Sequence, residues 1–250
     1  METKLKLARR IYFLKIPVDI IDEQTCLQKV ESLLENKGQH QITFLSLQRL
    51  FKARRDIIYY NCLHESTLIL PTSRGIIRGA RFLKLGNLSR YNPFDFIITL
   101  LSFAEKNGKS VYLLGSKKYN LERAEQNLRT SFPELKIIGR FTGYFNQEVE
   151  KNVILAIKKS APCFLFVGKG IKDKELWLLR NKKRINPGIY IWVDNCFEIF
   201  AGTEKYVAPR LFNSGLEILS GIMKRPWRIL KFFSYLYFNF LLLINRVFKL

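Results

Sequence analysis

The chain has little of the chemistry that holds metals or closes disulfides. Its histidines are two, His40 and His64, and its four cysteines (Cys26, Cys62, Cys163 and Cys196) are far apart with no CxxC pair. A zinc site and a disulfide framework are therefore not expected. Two cysteines sit in apolar runs, where the thiol acts as a small hydrophobe, and the expectation is a reduced, cytosol-facing protein. Long apolar runs are also missing. The stretch Phe232 to Ile244 falls short of the roughly 20 residues that span a bilayer. Near the start, Lys4, Lys6, Arg9 and Arg10 are followed by too short an apolar run before Lys15 and Pro17 to read as a secretory signal. No internal repeat or low-complexity linker is present.

Negative charge is scarce as well: 21 Asp and Glu stand against 42 Lys and Arg, a formal net charge of +21. Such an excess implies an anionic partner, whether nucleic acid, an anionic membrane surface or a phosphorylated substrate. No nucleic-acid-binding motif accompanies the charge, so nucleic acid is not expected as a partner. The 20 Phe and 11 Tyr favour a membrane or a sugar-binding cleft. A hydrophobic fraction of 48% in 250 residues is enough for one good core and an appendage.

Strand and helix patterns alternate along most of the chain. Ile11–Ile16, Gln41–Leu45, Leu68–Leu70, the segments VYLLG and KIIGR, Cys163–Val167 and Ile189–Val193 read as strands. Between them lie helical segments, with Asp22 and Thr25 as N-caps of the first and Ser46 as the cap of LQRLFKARRDIIYY. Strands alternating with helices of about 10–15 residues indicate an α/β fold with a parallel sheet covered on both faces. From Gly202 onward the composition turns basic and aromatic. The boundaries expected are 1–202 for the α/β domain and 203–250 for a C-terminal helical appendage that lies in a membrane's headgroup region or packs on the core.

The stretch CFLFVGKGIKDKELWLLRNKKR (163–184) joins a buried strand to a glycine turn and a helix start. Gly168 and Gly170 would let a phosphate approach the backbone, and Lys169, Lys172 and Lys174 add positive charge there. The same pattern also fits an ordinary β-to-α connection.

Seven segments in order resemble the WecG/TagA/CpsF family of glycosyltransferases: TFLSLQRLFKARRD (43–56), LPTSRGIIRGARFL (70–83), RYNPFDF (90–96), VYLLGSK (111–117), FVGKGIKDKELW (166–177), FEIFAG (197–202) and APRLFNSGLE (208–217). The resemblance implies a Rossmann-like domain with a C-terminal membrane-associating appendage. It implies transfer of an N-acetylmannosamine-type or related sugar from a UDP donor to a polyprenyl-diphosphate-linked acceptor, with inversion, in the synthesis of a cell-surface polysaccharide such as exopolysaccharide, capsule or teichoic acid. The expected place is the cytoplasmic face of the cell membrane, held peripherally, with homo-oligomerisation left open. No cofactor is expected. The sequence has no DxD pair to clamp a metal on the diphosphate, so cationic side chains must stabilise the leaving UDP. Arg210 and Arg225 are the first candidates, with Arg74 and Arg90 behind them.

The departures from the family pattern bear on the chemistry. Where the family carries an Asp after the Pro of the LP segment, as general base on the acceptor hydroxyl, this chain has Thr72, which is not basic near neutral pH. Asp95 and Asp194 are the nearest replacements. Lys172 and Lys174 stand where a Pro and a Gln are usual, Leu45 where an Asn is usual, and Asp194, Asn195 and Cys196 where glycines are usual. Thr43, Asp95, Glu175, Glu198, Arg210 and Glu217 keep the pattern, and Thr43, Ser73, Gly115, Glu175 and Glu198 complete the candidate substrate-binding set. Three readings compete: a divergent active enzyme, an enzyme with a different donor or acceptor, and a catalytically impaired paralogue that binds or regulates at the membrane. The persistence of so many matching residues favours the first.

Overall fold

A computed structural model describes residues 8–36, 38–206 and 230–248. The central sheet has six parallel strands, β3 (Gln39–Leu45), β4 (Leu68–Pro71), β5 (Ser110–Leu114), β6 (Lys136–Phe141), β7 (Phe164–Gly168) and β8 (Gly188–Asp194). Their order across the sheet is β4-β3-β8-β7-β5-β6. Every strand is apolar enough to be buried on two faces, as a parallel sheet requires, except the edge strand β6, whose side chains alternate between partly buried and exposed.

Alternate side chains of the strands divide the core. Phe44, Leu70, Leu113, Phe166 and Ile191 point to one face, where they meet α1 (Glu23–Glu35), α5 (Pro93–Lys106), α6 (Lys118–Ser131) and α9 (Cys196–Phe200). On the other face Tyr112, Leu165, Val167 and Trp192 pack under α7 (Gln147–Ser160) and α8 (Glu175–Asn181). Beside them Leu45 and Ile69 pack under α2 (Leu47–Ala53), α3 (Ile57–Glu65), α4 (Arg74–Phe82) and α10 (Leu230–Phe248). This is the expected α/β sheet with helices on both faces.

The β3–β4 edge carries a feature that the sequence pattern hides. Ile11–Ile16, expected as one strand, is an antiparallel hairpin of β1 (Arg9–Phe13) and β2 (Ile16–Ile20). Its two turn residues, Leu14 and Lys15, have φ of 51° and 68°, a conformation usually signalled by Asn or Gly. The hairpin is stitched to the sheet edge through Asp19, which pairs bidentately with Arg10 at 2.9 Å and accepts the Ile69 amide at 2.6 Å. The edge strand is thereby covered rather than left open. The helix expected over residues 47–60 is likewise two helices, with Asp56 capping the second by accepting the Tyr59 amide at 3.1 Å.

The two halves of the sheet diverge at its middle. From β5 the chain continues outward to β6, whereas from β7 it continues the other way to β8. The C-terminal ends of β5 and β7 are therefore the switch point of the sheet, where open α/β folds place the crevice that binds ligands. The crevice is floored by backbone. Gly115 has φ of 124°, and a Cβ there would lie 2.9 Å from backbone atoms of Gly168 and Lys169. Gly115→Ala should therefore cost about 1–3 kcal/mol or more in a urea melt. Gly202→Ala, at φ of 73° but with nothing within 4 Å, should cost only the left-handed backbone penalty of about 1–2 kcal/mol. Equal losses from the two would show that the close approach of the loops carries no stability.

Candidate active site

The loops after β5, β6, β7 and β8 hold one another through main-chain hydrogen bonds. The Ser116 amide donates to the Lys169 carbonyl at 2.6 Å, Gly143 to Ser116 at 2.8 Å, Tyr144 to Gly170 at 2.7 Å, and Lys169 to Asp194 at 3.1 Å. Of the nine non-glycine residues with positive φ among the described residues, five lie in these loops: Ser116, Tyr144, Asp173, Lys174 and Asp194. Such concentrated backbone strain is characteristic of ligand sites. The Tyr144 ring lies against Gly170, where a Cβ would come within 2.6 Å of it, and remains 64% exposed. It offers a flat apolar face beside the crevice.

On the α9 side the carboxylates are held in two different ways. Glu198, only 6% exposed, accepts the Ser116 hydroxyl at 2.5 Å, while its second oxygen has no partner among the described residues. Glu204 instead pairs with the Lys169 ammonium and accepts the Asn195 side-chain amide at 2.6 Å. Partial desolvation opposes the charged forms of both members of this pair. The mutual hydrogen bond and the surrounding charges outweigh it, raising the Lys169 pKa and lowering that of Glu204. Asp95, in the first turn of α5, accepts the Tyr206 hydroxyl, and the neighbouring Phe94 ring packs on Phe200 and Tyr206 at centroid distances of 4.8 and 5.0 Å. Desolvation and the Asp95 hydrogen bond push the Tyr206 pKa up to about 12, so this phenol is a donor throughout the neutral range.

On the β3–β4 side Arg90 is fixed by donating Nε to the Thr72 carbonyl at 2.7 Å, which places its guanidinium group at the end of β4. The Thr72 hydroxyl donates to the Leu45 carbonyl at 3.3 Å and is thus engaged with the backbone. Ser73 accepts the Leu47 amide at 2.9 Å and so ties the turn after β4 to the turn after β3. Arg74 begins α4 immediately beyond.

A second group of candidates lies beneath this edge rather than on it. Thr43 exchanges a hydroxyl hydrogen bond with Ser66 at 2.9 Å in the interior. Glu175, 2% exposed, forms an ion pair with Arg49 at 2.6 Å. Burial and the Glu175 charge raise the pKa of the adjacent Tyr59 phenol. The expected helix N-terminus after the glycine turn is also different in detail. Helix α8 begins at Glu175, and the amides of Leu176 and Trp177 donate to the carbonyls of Asp173 and Lys174. The turn therefore does not present those amides to an anion. What Gly168 and Gly170 serve is close packing against Phe197 and Tyr144.

The structure thus brings Gly115, Gly168, Gly170, Asp194 and Glu198 together around the crevice, and Thr72, Ser73, Arg74 and Arg90 at the neighbouring strand ends. Asp95 sits at the start of α5, joined to the α9 side by Tyr206. Lys172 and Lys174 follow the β7 loop, with Lys172 lining a separate cleft between α7 and α8. Arg210 and Arg225 lie outside the described residues. Sequence reasoning did not single out Ser116, Tyr144, Asn195, Glu204 or Tyr206 as site residues. Only Tyr144 carried a local signal, a Gly–aromatic pair just past a strand end. The others are recognised by partners 9 to 111 residues away.

Comparison with known proteins agrees with this geometry. Residues 11–249 match the Glycosyl transferase WecG/TagA/CpsF family. The N-acetylglucosaminyldiphosphoundecaprenol N-acetyl-beta-D-mannosaminyltransferase of Bacillus subtilis (strain 168) is 26% identical over 180 residues, covering 71% of this chain and 69% of that protein. The protein of the same name from Staphylococcus aureus (strain NCTC 8325 / PS 47) is 25% identical over 210 residues, covering 78% and 79%. With nearly its whole length matched and a glycine-floored crevice at the switch point of the sheet, the chain belongs to the WecG/TagA/CpsF family of glycosyltransferases.

Proposed function

We propose that the protein transfers an N-acetylmannosamine-type sugar from a UDP donor to a polyprenyl-diphosphate-linked acceptor, working peripherally at the cytoplasmic face of the membrane in cell-surface polysaccharide synthesis. The observation that carries this reading is the switch-point edge of the sheet at β5 and β7, with an exposed aromatic ring, buried Glu198 and basic side chains nearby, in a chain whose relatives are named for that transfer. The nucleotide occupies the crevice, its base against Tyr144 and its diphosphate toward the cationic edge; Arg210 and Arg225 remain the candidates from the sequence for stabilising the leaving UDP.

The chemistry is a single displacement with inversion. An acceptor hydroxyl oxygen bonds to the anomeric carbon as the bond from that carbon to the UDP oxygen breaks, the electron pair leaving with UDP. The hydroxyl proton passes to a carboxylate. Thr72 is unsuited to take it, because its hydroxyl is neutral and already donates to Leu45. Asp95 is the favoured base: among the described residues its carboxylate is held by the neutral phenol of Tyr206 rather than by a cation. Charge on the departing diphosphate is met by arginine and lysine without a metal. Among the described residues no three His, Cys, Asp or Glu side chains form a metal-ligating group.

No described helix is long and apolar enough to cross a membrane. Helix α10 packs Phe238, Leu241 and Leu242 inward and leaves Leu236, Phe240, Leu243 and Val247 exposed on the opposite side. That stripe is the surface by which the 203–250 appendage rests on the bilayer.

A second reading, a catalytically impaired paralogue that binds its ligands, is favoured by Thr72 alone. Incubation with UDP-sugars and a short-chain polyprenyl-diphosphate sugar should release UDP and lengthen the acceptor. Absence of both transfer and UDP binding would overturn the proposal. Asp95→Asn, which retains an acceptor for Tyr206, should lower kcat by roughly 10²–10⁴-fold with little change in UDP affinity. A gain of transfer in Thr72→Asp from an inactive wild type would instead establish the impaired paralogue. Phe240→Asp with Leu243→Asp should abolish co-sedimentation with anionic vesicles while leaving the thermal unfolding transition in place.

The Lys169–Glu204 pair sets a further expectation. Its depressed carboxylate contributes above the ordinary Glu pKa of 4.5 and loses that contribution as pH falls through its lower folded value. The raised ammonium contributes below 10.5 and loses its share as pH rises through its higher folded value. Glu204→Gln should therefore lower hydrogen-exchange protection of Thr203 and Glu204 at neutral pH. The difference from wild type should vanish at pH below the Glu204 folded-state pKa, and a persistent difference there would assign the effect to something other than this pair.

A further inference from the structure

Helices α4 and α10 meet along a seam of small residues. Gly75 lies under Phe238 and Gly79 under Leu242, where an added Cβ would come within 3.4 and 3.1 Å of the respective side chains. The helices run in the same direction, since Arg246 near the end of α10 donates to the carbonyl of Phe82 at the end of α4 at 2.9 Å. Beside the seam, between α10, α4 and α2, is a cleft of about 750 Å³. Its size suits a ligand rather than a packing defect.

The lining of this cleft is amphiphilic in an ordered way. Phe51, Phe238 and Leu242 provide an apolar wall, and Arg74 and Arg78 are both on α4, one turn apart. No acidic side chain lines it among the described residues, and Arg78 has no acidic partner among them. One end reaches Ser46, directly after β3, and Ser73, two residues past the end of β4, so the cleft opens onto the strand ends next to Thr72 and Arg90. Its flank is continuous with the exposed stripe of α10 through Leu243. A ligand suited to it carries an anionic group beside an apolar chain, with the chain leading away to an apolar surface.

We propose that this cleft seats the lipid diphosphate of the acceptor. The first isoprenyl units lie against Phe51, Phe238 and Leu242, and the diphosphate is gripped by Arg78 with Arg74. The acceptor sugar is thereby directed to the strand ends. This assignment rests on the transferase reading for the identity of the lipid. The location is supported by charge complementarity and by continuity with the apolar stripe.

Farnesyl diphosphate and farnesol serve as probes, with UDP binding measured in parallel. Arg78→Gln should weaken farnesyl diphosphate by about 10- to 100-fold, the loss of a charge-assisted contact, and leave farnesol and UDP unaffected. Asn239→Trp, an exposed position that lines the cleft, should weaken both isoprenoids and leave UDP unaffected. In turnover both changes should raise KM for the lipid acceptor with kcat retained. Farnesyl diphosphate binding equally to wild type and both variants would overturn the cleft assignment, even where transfer and UDP binding are intact. Farnesyl diphosphate binding that is lost in both variants, in a protein that transfers no sugar, would uphold the cleft and overturn the transferase reading instead. Displacement of farnesyl diphosphate by phosphatidylglycerol vesicles as readily as by unlabelled farnesyl diphosphate would show a general lipid seat and also overturn the assignment.

Discussion

Between the ends of β5 and β7 no side chain separates the main chains. Gly115 meets the backbone of Gly168 and Lys169, and Gly143 that of Lys169 and Gly170, at distances where any Cβ would fall within 3 Å. This contact has two consequences. It lets the amides of Ser116, Tyr144 and Lys169 find carbonyl partners in neighbouring loops, which satisfies backbone groups that strand ends otherwise leave to solvent. It also forces Ser116, Tyr144 and Asp194 into positive φ, which turns their side chains to positions fixed by the floor beneath rather than by their own rotamer preferences. Side-chain placement at the edge is thus inherited from backbone contact.

The carboxylates around this edge divide by what holds them. Glu175 and Glu204 are taken by Arg49 and Lys169, cations that bind only the ionised form. Asp95 and Glu198 are held by the hydroxyls of Tyr206 and Ser116. A hydroxyl donates or accepts, so these partners tolerate either protonation state of the acid. Glu175 and Glu204 are parts of the frame. The interior Arg49–Glu175 pair joins α2 to α8 beneath the strand ends and so supports the two sides of the crevice together.

Sequence showed the parallel sheet because its strands are apolar runs separated by helices with visible caps. Asp22 and Ser46 each accept an amide of their helix as such caps do. What it concealed was of two kinds. Breaks made without glycine or proline left no trace, as at Leu14–Lys15, where a hairpin turn is formed by residues that fit a strand equally well. Strand order was also hidden: β8 inserts between β3 and β7, which sets Asp194 beside Lys169 although the residues between them read as an ordinary helix and strand. The site was legible where a motif is local, at Thr72–Arg74 and at the glycines. It was not legible where two residues meet only through the fold, as Asp95 and Tyr206 do across 111 positions.

Helix α10 packs on the core, one of the two readings of the C-terminal segment, and its outer face is the one proposed to meet a membrane. Its residues 236, 240, 243 and 247 share one side and 238, 241, 242 and 245 the other, so one helix has an exposed apolar stripe and a packed one. The packed stripe fixes the helix to α4 through Gly75 and Gly79, which leaves it no freedom to cross a bilayer without removing Phe238, Leu241 and Leu242 from the core. Burying side chains of that size contributes about 1.5–3 kcal/mol each, so withdrawing three of them would cost a large part of a domain's stability. A helix so anchored can meet the membrane only by lying along it. In the contact proposed above, the bilayer surface runs parallel to α10 and therefore to α4 beside it. On that proposal the packing of α10 on α4 sets the depth, and not the affinity alone, at which a lipid-linked acceptor is met.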